Sequence, residues 1–395
     1  MRTYRVTAED RVTFLRCRRA WDLGAGERRH LEPLSASPVL DLGAALQQAL
    51  AVYYYPGMWD WDRAVVNPLT HKGLAKALSS ERQAMPAAGA TSQPAQRALL
   101  DQGVAVMEAY LAWAPTVDAF SPIRVETEID VNIPDPDPER TDTDADLMVP
   151  DRIATAVRYV CRLHLLAVDA QDRYWVVQHR VARDFADARD LLLEEEAVAQ
   201  AWAWERAYPG MRIAGTMYNE VRIGALDDGM DTNGTVAAEP LPADASRHGW
   251  GLRQHEPSGG GRGPGQHRRL YLHTPAEVDP SALGQPVVLG TTTRFRRTQI
   301  QRSAAAVQSM GARIAEEAAE MIQPTLPLYP TPTPMHCRGC AFVTPCLAMT
   351  AGIDPTPILD EEFRVGSDDV TEGRLGGRTW GVGRGGAPPP SWRGR

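Results

Sequence analysis

Four of the five cysteines in this 395-residue chain lie near its two ends, and their spacing restricts the possible folds more than any other feature. Cys337, Cys340 and Cys346 form C-x2-C-x5-C in MHCRGCAFVTPCLA, and Cys17 stands alone upstream in FLRCRRAWDL. Thiols bunched this tightly in a Pro-flanked loop make poor core residues, because their thiolates repel one another unless a soft cation offsets the charge. A three-plus-one set would tie the N-terminal helix to the C-terminal segment, closing a loop of about 320 residues. Two plainer readings stand beside it, disulfides or unrelated free thiols. Four thiolates suit Zn2+ and suit an iron–sulfur cluster equally, and spacing does not choose between them.

The chain is 43% hydrophobic and 23% charged, an ordinary balance for a globular protein of one large domain or two. It has no run of about 18 apolar residues, and MRTYRVTAEDRV has no apolar h-region, so the expectation is a cytoplasmic protein with no membrane partner. The net charge of −8 excludes a global basic field, so any nucleic-acid surface has to be local. Lys72 and Lys76 are the only lysines; every other basic side chain apart from histidine is arginine.

Thr7-x-x-Asp10 predicts a capping box opening a helix to about Leu23, with Cys17 on it and Val12, Leu15 and Arg19/Ala20 along one face. Further helices are expected over 43–55, stopped by Pro56-Gly57, and at about 73–85 and 95–113. RVETEIDVNI, 124–133, alternates like a strand and is followed by the acidic, Pro-rich connector PDPDPERTDTDAD. Strands are expected over 154–168 and 173–181 around the turn DAQD, then a helix from Leu191 to Tyr208 and a strand over 211–224. Residues 226–267 read as a mobile insertion, LYLHT (270–274) follows, and 303–322 is strongly helical. The domain is expected to span 1–350, with 351–395 a disordered Gly/Arg/Pro-rich tail. The pattern indicates α/β, with a hairpin at its centre.

This order of signals resembles the RecB/Cas4-like iron–sulfur branch of the PD-(D/E)XK nuclease superfamily, over roughly residues 5–350 without the insertion. That branch carries one cysteine in an N-terminal helix and a C-x2-C-x5-C-like group near the end, as Cys17, Cys337, Cys340 and Cys346 do here. The resemblance implies a restriction-endonuclease-like core, a small mixed sheet flanked by helices, and a 4Fe-4S cluster, with Zn2+ the alternative. The family's G-x-x-x-H corresponds to Gly43 and Gln47, and G-R-I-D to Cys161-Arg162-Leu163-His164. D-H-K-T corresponds to Gln178-His179-Arg180-Val181, and Q-x-x-x-Y to Gln200 and Trp204. His164 and Gln178 thus stand where two metal-binding carboxylates are expected, Arg180 where a lysine is, and Gln47 where a histidine is.

Such nucleases hydrolyse phosphodiesters with Mg2+ or Mn2+ held by carboxylates, and Mg2+ prefers anionic oxygen. A Gln amide is a weak substitute, His favours softer metals, and Arg keeps the charge of Lys without a deprotonatable amine. The resemblance therefore implies a catalytically impaired, DNA-binding or scaffold protein of a DNA-processing or phage-related system, with other DNA-processing proteins as partners. Two alternatives stand: an active metal-dependent DNA exonuclease with a rearranged site using Glu126 or Glu128, His164 and Asp or Glu residues nearby, and a structural four-cysteine metal protein without a DNA role. Each residue also has a plain reading. His164 is a core histidine, His179 faces away from Gln178 and Arg180, Glu126 and Glu128 are solvated, Glu194–Glu196 are an acidic first turn, and Cys161 is inert. The Trp clusters PGMWDW and AWAWERAY read as core, and the Arg/Gly/Trp tail as either a nucleic-acid contact or a spacer.

Overall fold

A computed structural model describes residues 3–34, 41–83, 93–136, 147, 156–223 and 283–366. In chain order it begins with β1 (Tyr4–Thr7), α1 (Ala8–Arg16), α2 (Arg18–Gly24) and β2 (Leu31–Pro33). Then come α3 (Leu42–Tyr53), α4 (Arg63–Gln83), α5 (Gln93–Val117), β3 (Phe120–Asn132), β4 (Val157–Asp169) and β5 (Tyr174–Ala182). They are followed by α6 (Ala188–Leu193), α7 (Glu196–Ala207), β6 (Ile213–Arg222), β7 (Pro286–Thr291) and β8 (Phe295–Gln301). The last are α8 (Ala304–Met321), α9 (Pro334–Cys337), α10 (Val343–Thr350), α11 (Thr356–Glu362) and β9 (Phe363–Val365). The fold is α/β, with a mixed central sheet flanked by helices. No helix among the described residues is long and apolar enough to cross a membrane.

The chain divides into two compact units, Met1–Pro38 with Asp130–Cys161 and Gly311–Arg395, and Val39–Ile129 with Arg162–Met310. In the second unit, β4 and β5 are antiparallel, β5 and β6 parallel, and β6, β8 and β7 successively antiparallel. The hairpin turn between β4 and β5 is built on Asp169. Its carboxylate accepts from the backbone N–H of Gln171 and Arg173, from Arg173 Nε at 2.8 Å and from Trp175 Nε1 at 2.9 Å, while Asp172 takes φ +62. Odd-numbered strand residues Leu165, Ala167, Trp175 and Val177 share one apolar core with Leu46, Leu50 and Tyr53 of α3 and Tyr110 of α5. On the opposite face lies α7, where Gln200 meets Gln178. Asp41 opens α3 by accepting from the N–H groups of Gly43 and Ala44. Gly43 brings that first turn close to β5, since a Cβ there would sit 3.4 Å from Val181 Cβ.

In the first unit, β1 pairs in parallel with the start of β4, from Tyr4↔Val157 to Thr7↔Val160. β2 and β9 form an antiparallel ribbon, Leu31↔Val365 to Pro33↔Phe363. Ala20, Leu23, Phe342, Leu359 and Phe363 make a small apolar cluster on which Cys17 and Cys340 pack.

The capping box is present, with Thr7 and Asp10 exchanging hydrogen bonds, but the helix it opens is not continuous. Cys17 is extended, φ −163 and ψ 109, and separates α1 from α2 rather than lying on one helix. The expected apolar face is also reversed: Val12 and Leu15 are more than half exposed, while Phe14 is buried and Arg11 is buried against Glu317. An ion pair lets a charged residue occupy the inward position, which hydrophobic periodicity cannot register. The helix expected over 191–208 breaks at Glu194–Glu195 into α6 and α7. Residues 356–365, assigned by sequence to the tail, form α11 and β9. The insertion 226–267, LYLHT (270–274), residues 137–146 of the acidic connector and the tail from 367 onward lie outside the described residues.

Candidate functional site

The β4–β5 ladder runs from Val168↔Tyr174 to Leu165↔Val177 and ends there. Beyond it β5 continues against β6 alone, from Gln178↔Tyr218 to Ala182↔Arg222. A cavity of about 340 Å³ opens at that end of the ladder. It is lined by Gln47 of α3, His164 of β4, Gln178, His179, Arg180, Val181 and Ala182 of β5, Glu194 and Glu196 around the start of α7, and Tyr218 of β6. Four of the six positions singled out by sequence, Gln47, His164, Gln178 and Arg180, therefore line one cavity. Gln200 joins them through a 2.7 Å hydrogen bond that its Oε1 accepts from Gln178 Nε2. Trp204 does not line it; the indole is buried one turn further along α7 and stacks on Tyr208 at 4.1 Å.

His179 and Gln178 alternate along β5, as strand geometry predicts, and both belong to the cavity lining with His164 of β4 beside them. The His179 ring stacks on Tyr54, which caps the end of α3, at 5.5 Å and lies parallel to His164 at 6.2 Å. Gln47 donates through Nε2 to the His179 carbonyl at 3.0 Å.

Behind His179 lies a fully buried polar network. Arg297 of β8 has no exposed side-chain surface and pairs with Asp118. The guanidinium also donates to Tyr54 Oη at 2.8 Å, Tyr110 Oη at 3.1 Å and Asn219 Oδ1 at 3.2 Å. Asn219 Nδ2 bonds Tyr110 Oη at 2.8 Å and His179 Nδ1 at 2.9 Å. Tyr54 donates to Asp118 at 3.1 Å. Burial raises the hydroxyls of Tyr54 and Tyr110, Tyr110 to about 12, so both stay protonated as donors.

On the opposite side, Glu194 caps α7, accepting from Glu196 N at 2.8 Å, Ala197 N at 3.2 Å and Tyr218 Oη at 3.0 Å. Arg302 fixes the preceding turn by donating to the carbonyls of Leu191 and Leu192, both at 3.0 Å. The helix break at 194–195 is thus built in, and it delivers Glu194 and Glu196 to the cavity.

Burial, reinforced by Arg162, pushes His164 down to about 4. Burial, then His164 and Arg297, holds His179 well below the ordinary range, so both rings are neutral at pH 7. Two of their buried nitrogens, His164 Nδ1 and His179 Nε2, have no protein partner, at a cost of about 1–3 kcal/mol each. Glu126 and Glu128 do not line the cavity. Glu128 is exposed, while Glu126 sits at φ +43, 3.7 Å from Arg162, and burial raises its carboxyl to about 7 against that charge.

All five cysteines are unbridged. Cys17, Cys337 and Cys340 lie close enough in the first unit that the first and second each raise the Cys340 thiol, after burial itself. Cys346 Sγ lies 3.6 Å from Arg19 Nη1, which also donates to the Cys346 carbonyl and to Thr350. Four reduced thiols on two chain segments suit a soft metal or cluster by donor chemistry. Among the described residues, however, no three His, Cys, Asp or Glu are grouped as a metal ligand set. The lining includes two carboxylates, Glu194 and Glu196, beside two neutral imidazoles and the Gln178–Gln200 amide pair; Glu194 is engaged by the start of α7, and among the described residues these groups form no metal ligand set.

Arg297, Asp118 and Asn219 were missed by sequence reasoning. Arg297 lies two residues from Phe295 on β8, but FRRTQIQ does not alternate in hydrophobicity, so no local pattern marks Arg297 as inward-facing. No protein-family model matches the chain, and no curated protein matches it.

Proposed function

We propose that this chain is a PD-(D/E)XK nuclease-like protein that has lost the family's magnesium chemistry and binds DNA or acts as a scaffold for DNA processing. The observation that carries this reading is the meeting of Gln47, His164, Gln178, Arg180 and Gln200 around one cavity at the end of the central hairpin. Those five motif positions come from two helices, α3 and α7, and two strands, β4 and β5, far apart in sequence. Where two carboxylates would hold a metal, Gln178 instead bonds Gln200 and His164 is neutral. Glu126 and Glu128 do not line the cavity, while His164, Glu194 and Glu196 do, so a rearranged exonuclease site would have to draw on those three. Cys17, Cys337, Cys340 and Cys346 would hold the iron–sulfur cluster, or zinc, that the cysteine frame implies. When bound, that group supplies a cross-link between the two ends of the chain.

The test is incubation of the purified protein with single- and double-stranded DNA, each with Mg2+ and with Mn2+, beside a gel-shift titration over a range of salt. The expected result is intact DNA and a complex that weakens steeply as salt rises, because phosphate contacts release counterions. Degradation that disappears in His164→Ala would overturn the loss of catalysis. Failure to shift DNA at low salt would overturn the DNA role and leave a structural metal protein. A brown preparation with broad visible absorption supports the cluster, and a colourless zinc protein refutes it.

A further inference from the structure

We infer that the outer face of α4 is a self-association surface, against which a second copy of this chain lays its own α4 antiparallel. The face runs from Asp60 and Trp61 through Val65 and Leu69 to Lys72 and Lys76, and all six side chains are exposed. None of them lines the cavity of the central hairpin, and the contact requires no nucleic acid.

Helical spacing separates the two sides of α4. Val66, Leu74, Ala77 and Leu78 are buried in the core shared with α3 and α5. Val65, Leu69, Lys72 and Lys76 recur at steps of three and four residues on the opposite, solvent-facing side. Trp61 stands just before the helix, and Val65 and Leu69 continue from it at four-residue steps. Trp61 is 51% exposed and Val65 49%. Together they make an apolar strip in water, flanked by charge at both ends, which is the anatomy of an association surface.

The charges select the occupant. Asp60 and Asp62 stand at the start of the strip, Lys72 and Lys76 at its end, and no acidic residue occurs between Arg63 and Ser80. Arg63 turns inward, its guanidinium lying over the rings of Tyr53 at 5.0 Å and Trp59 at 4.7 Å. The strip is therefore negative at one end, apolar in the middle and positive at the other. Reversed against itself it is complementary: each lysine end meets an aspartate end, and the apolar middles meet each other. Setting Trp61 opposite the partner copy's Lys76 also sets Val65 opposite its Lys72, so the two-fold axis passes between residues 68 and 69. The lysine stems then cover the partner's apolar side chains while their ammonium groups reach its Trp61 ring and aspartates. Such a two-fold contact closes on itself. A nucleic-acid strand or an anionic membrane on the same face would meet Asp60 and Asp62 beside its aromatic anchor, which disfavours both. The strip spans about 23 Å of helix, a small interface that gives a weak, reversible dimer.

The experiment is sedimentation velocity of the full chain over a dilution series at low and high salt, with circular dichroism to check folding. One variant carries Lys72→Glu with Lys76→Glu, so that both ends are acidic. The other carries Asp60→Lys with Asp62→Asn, so that both ends are basic; Asn keeps an acceptor for the Ala64 N–H that Asp62 now holds at 2.8 Å. The parent is expected to show a monomer–dimer equilibrium that weakens as salt rises. Each variant alone should self-associate roughly tenfold more weakly or worse, because like charges meet at both ends. An equimolar mixture of the two should dimerise again, since unlike ends then meet twice, and mixing cannot repair a folding defect. Leu69→Gln should weaken the parent dimer as well. A parent that is monomeric at every concentration, or a dimer that none of these changes moves, overturns the surface. Fluorescent oligonucleotide binding that is lost with the lysines while the parent stays monomeric gives the face to nucleic acid and overturns it equally.

Discussion

Arg297 holds its charge with no side-chain surface in water, against an Asp118 carboxylate at 1% exposure. Removing one member of such a pair strands the other, so Arg297→Met is expected to cost about 3–5 kcal/mol in urea unfolding. The same change frees the Asn219 amide, which bonds the His179 ring at 2.9 Å, to turn. Glu126 has the opposite character. Its folded value of about 7 lies above the ordinary 4.5, so its contribution is fully present below pH 4.5 and is lost as pH rises through 7. Glu126→Gln should therefore match the parent near pH 4 and exceed it by up to about 3 kcal/mol at pH 8, read from denaturant midpoints at each pH. At this scale the sequence showed which residues to watch. It could not show how the His179 ring would be held, because that depends on an asparagine oriented by an arginine 78 residues beyond it.

Helices and strands were legible where periodicity and capping agree. The β4, β5 and β6 strands and the helices α3, α5 and α8 fall within a few residues of their expected places. β7 and β8 were not legible, since PVVLGT is short and FRRTQIQ puts an arginine where alternation wants an apolar residue. β2 and β9 have three residues each, too few for a pattern. Gly215 illustrates a constraint that only packing reveals. A Cβ there would overlap the Ile300 carbonyl oxygen and stand 2.8 Å from the Trp175 ring and 2.9 Å from Gln301 Cα. Gly215→Ala should destabilise by on the order of 3 kcal/mol or more, seen as a lowered melting temperature. Asp41→Ala, which removes the cap of α3, should cost about 1 kcal/mol in the same measurement.

For the molecule as a whole, segments far apart in the chain meet in the first unit through protein contacts. The β2–β9 ribbon pairs residues 31–33 with 363–365, and Phe342 and Phe363 pack with Ala20 and Leu23. A bound metal or cluster would add to that closure. Cys337→Ser is accordingly expected to lower the melting temperature by several degrees and to release iron or zinc, measured by calorimetry and metal analysis. A variant that melts like the parent and retains its metal would remove Cys337 from the ligand set.

The sequence alone determined the cysteine frame, the central hairpin and the identity of the residues at the motif positions, because spacing, turn chemistry and two-residue alternation are local properties. Only the tertiary structure decided that Cys17 breaks a helix, that α7 starts at Glu196 and that Gln47, His164, Gln178 and Arg180 line one cavity. Those outcomes depend on where the β4–β5 ladder stops and on buried charges finding partners far away in sequence, and no local pattern encodes either.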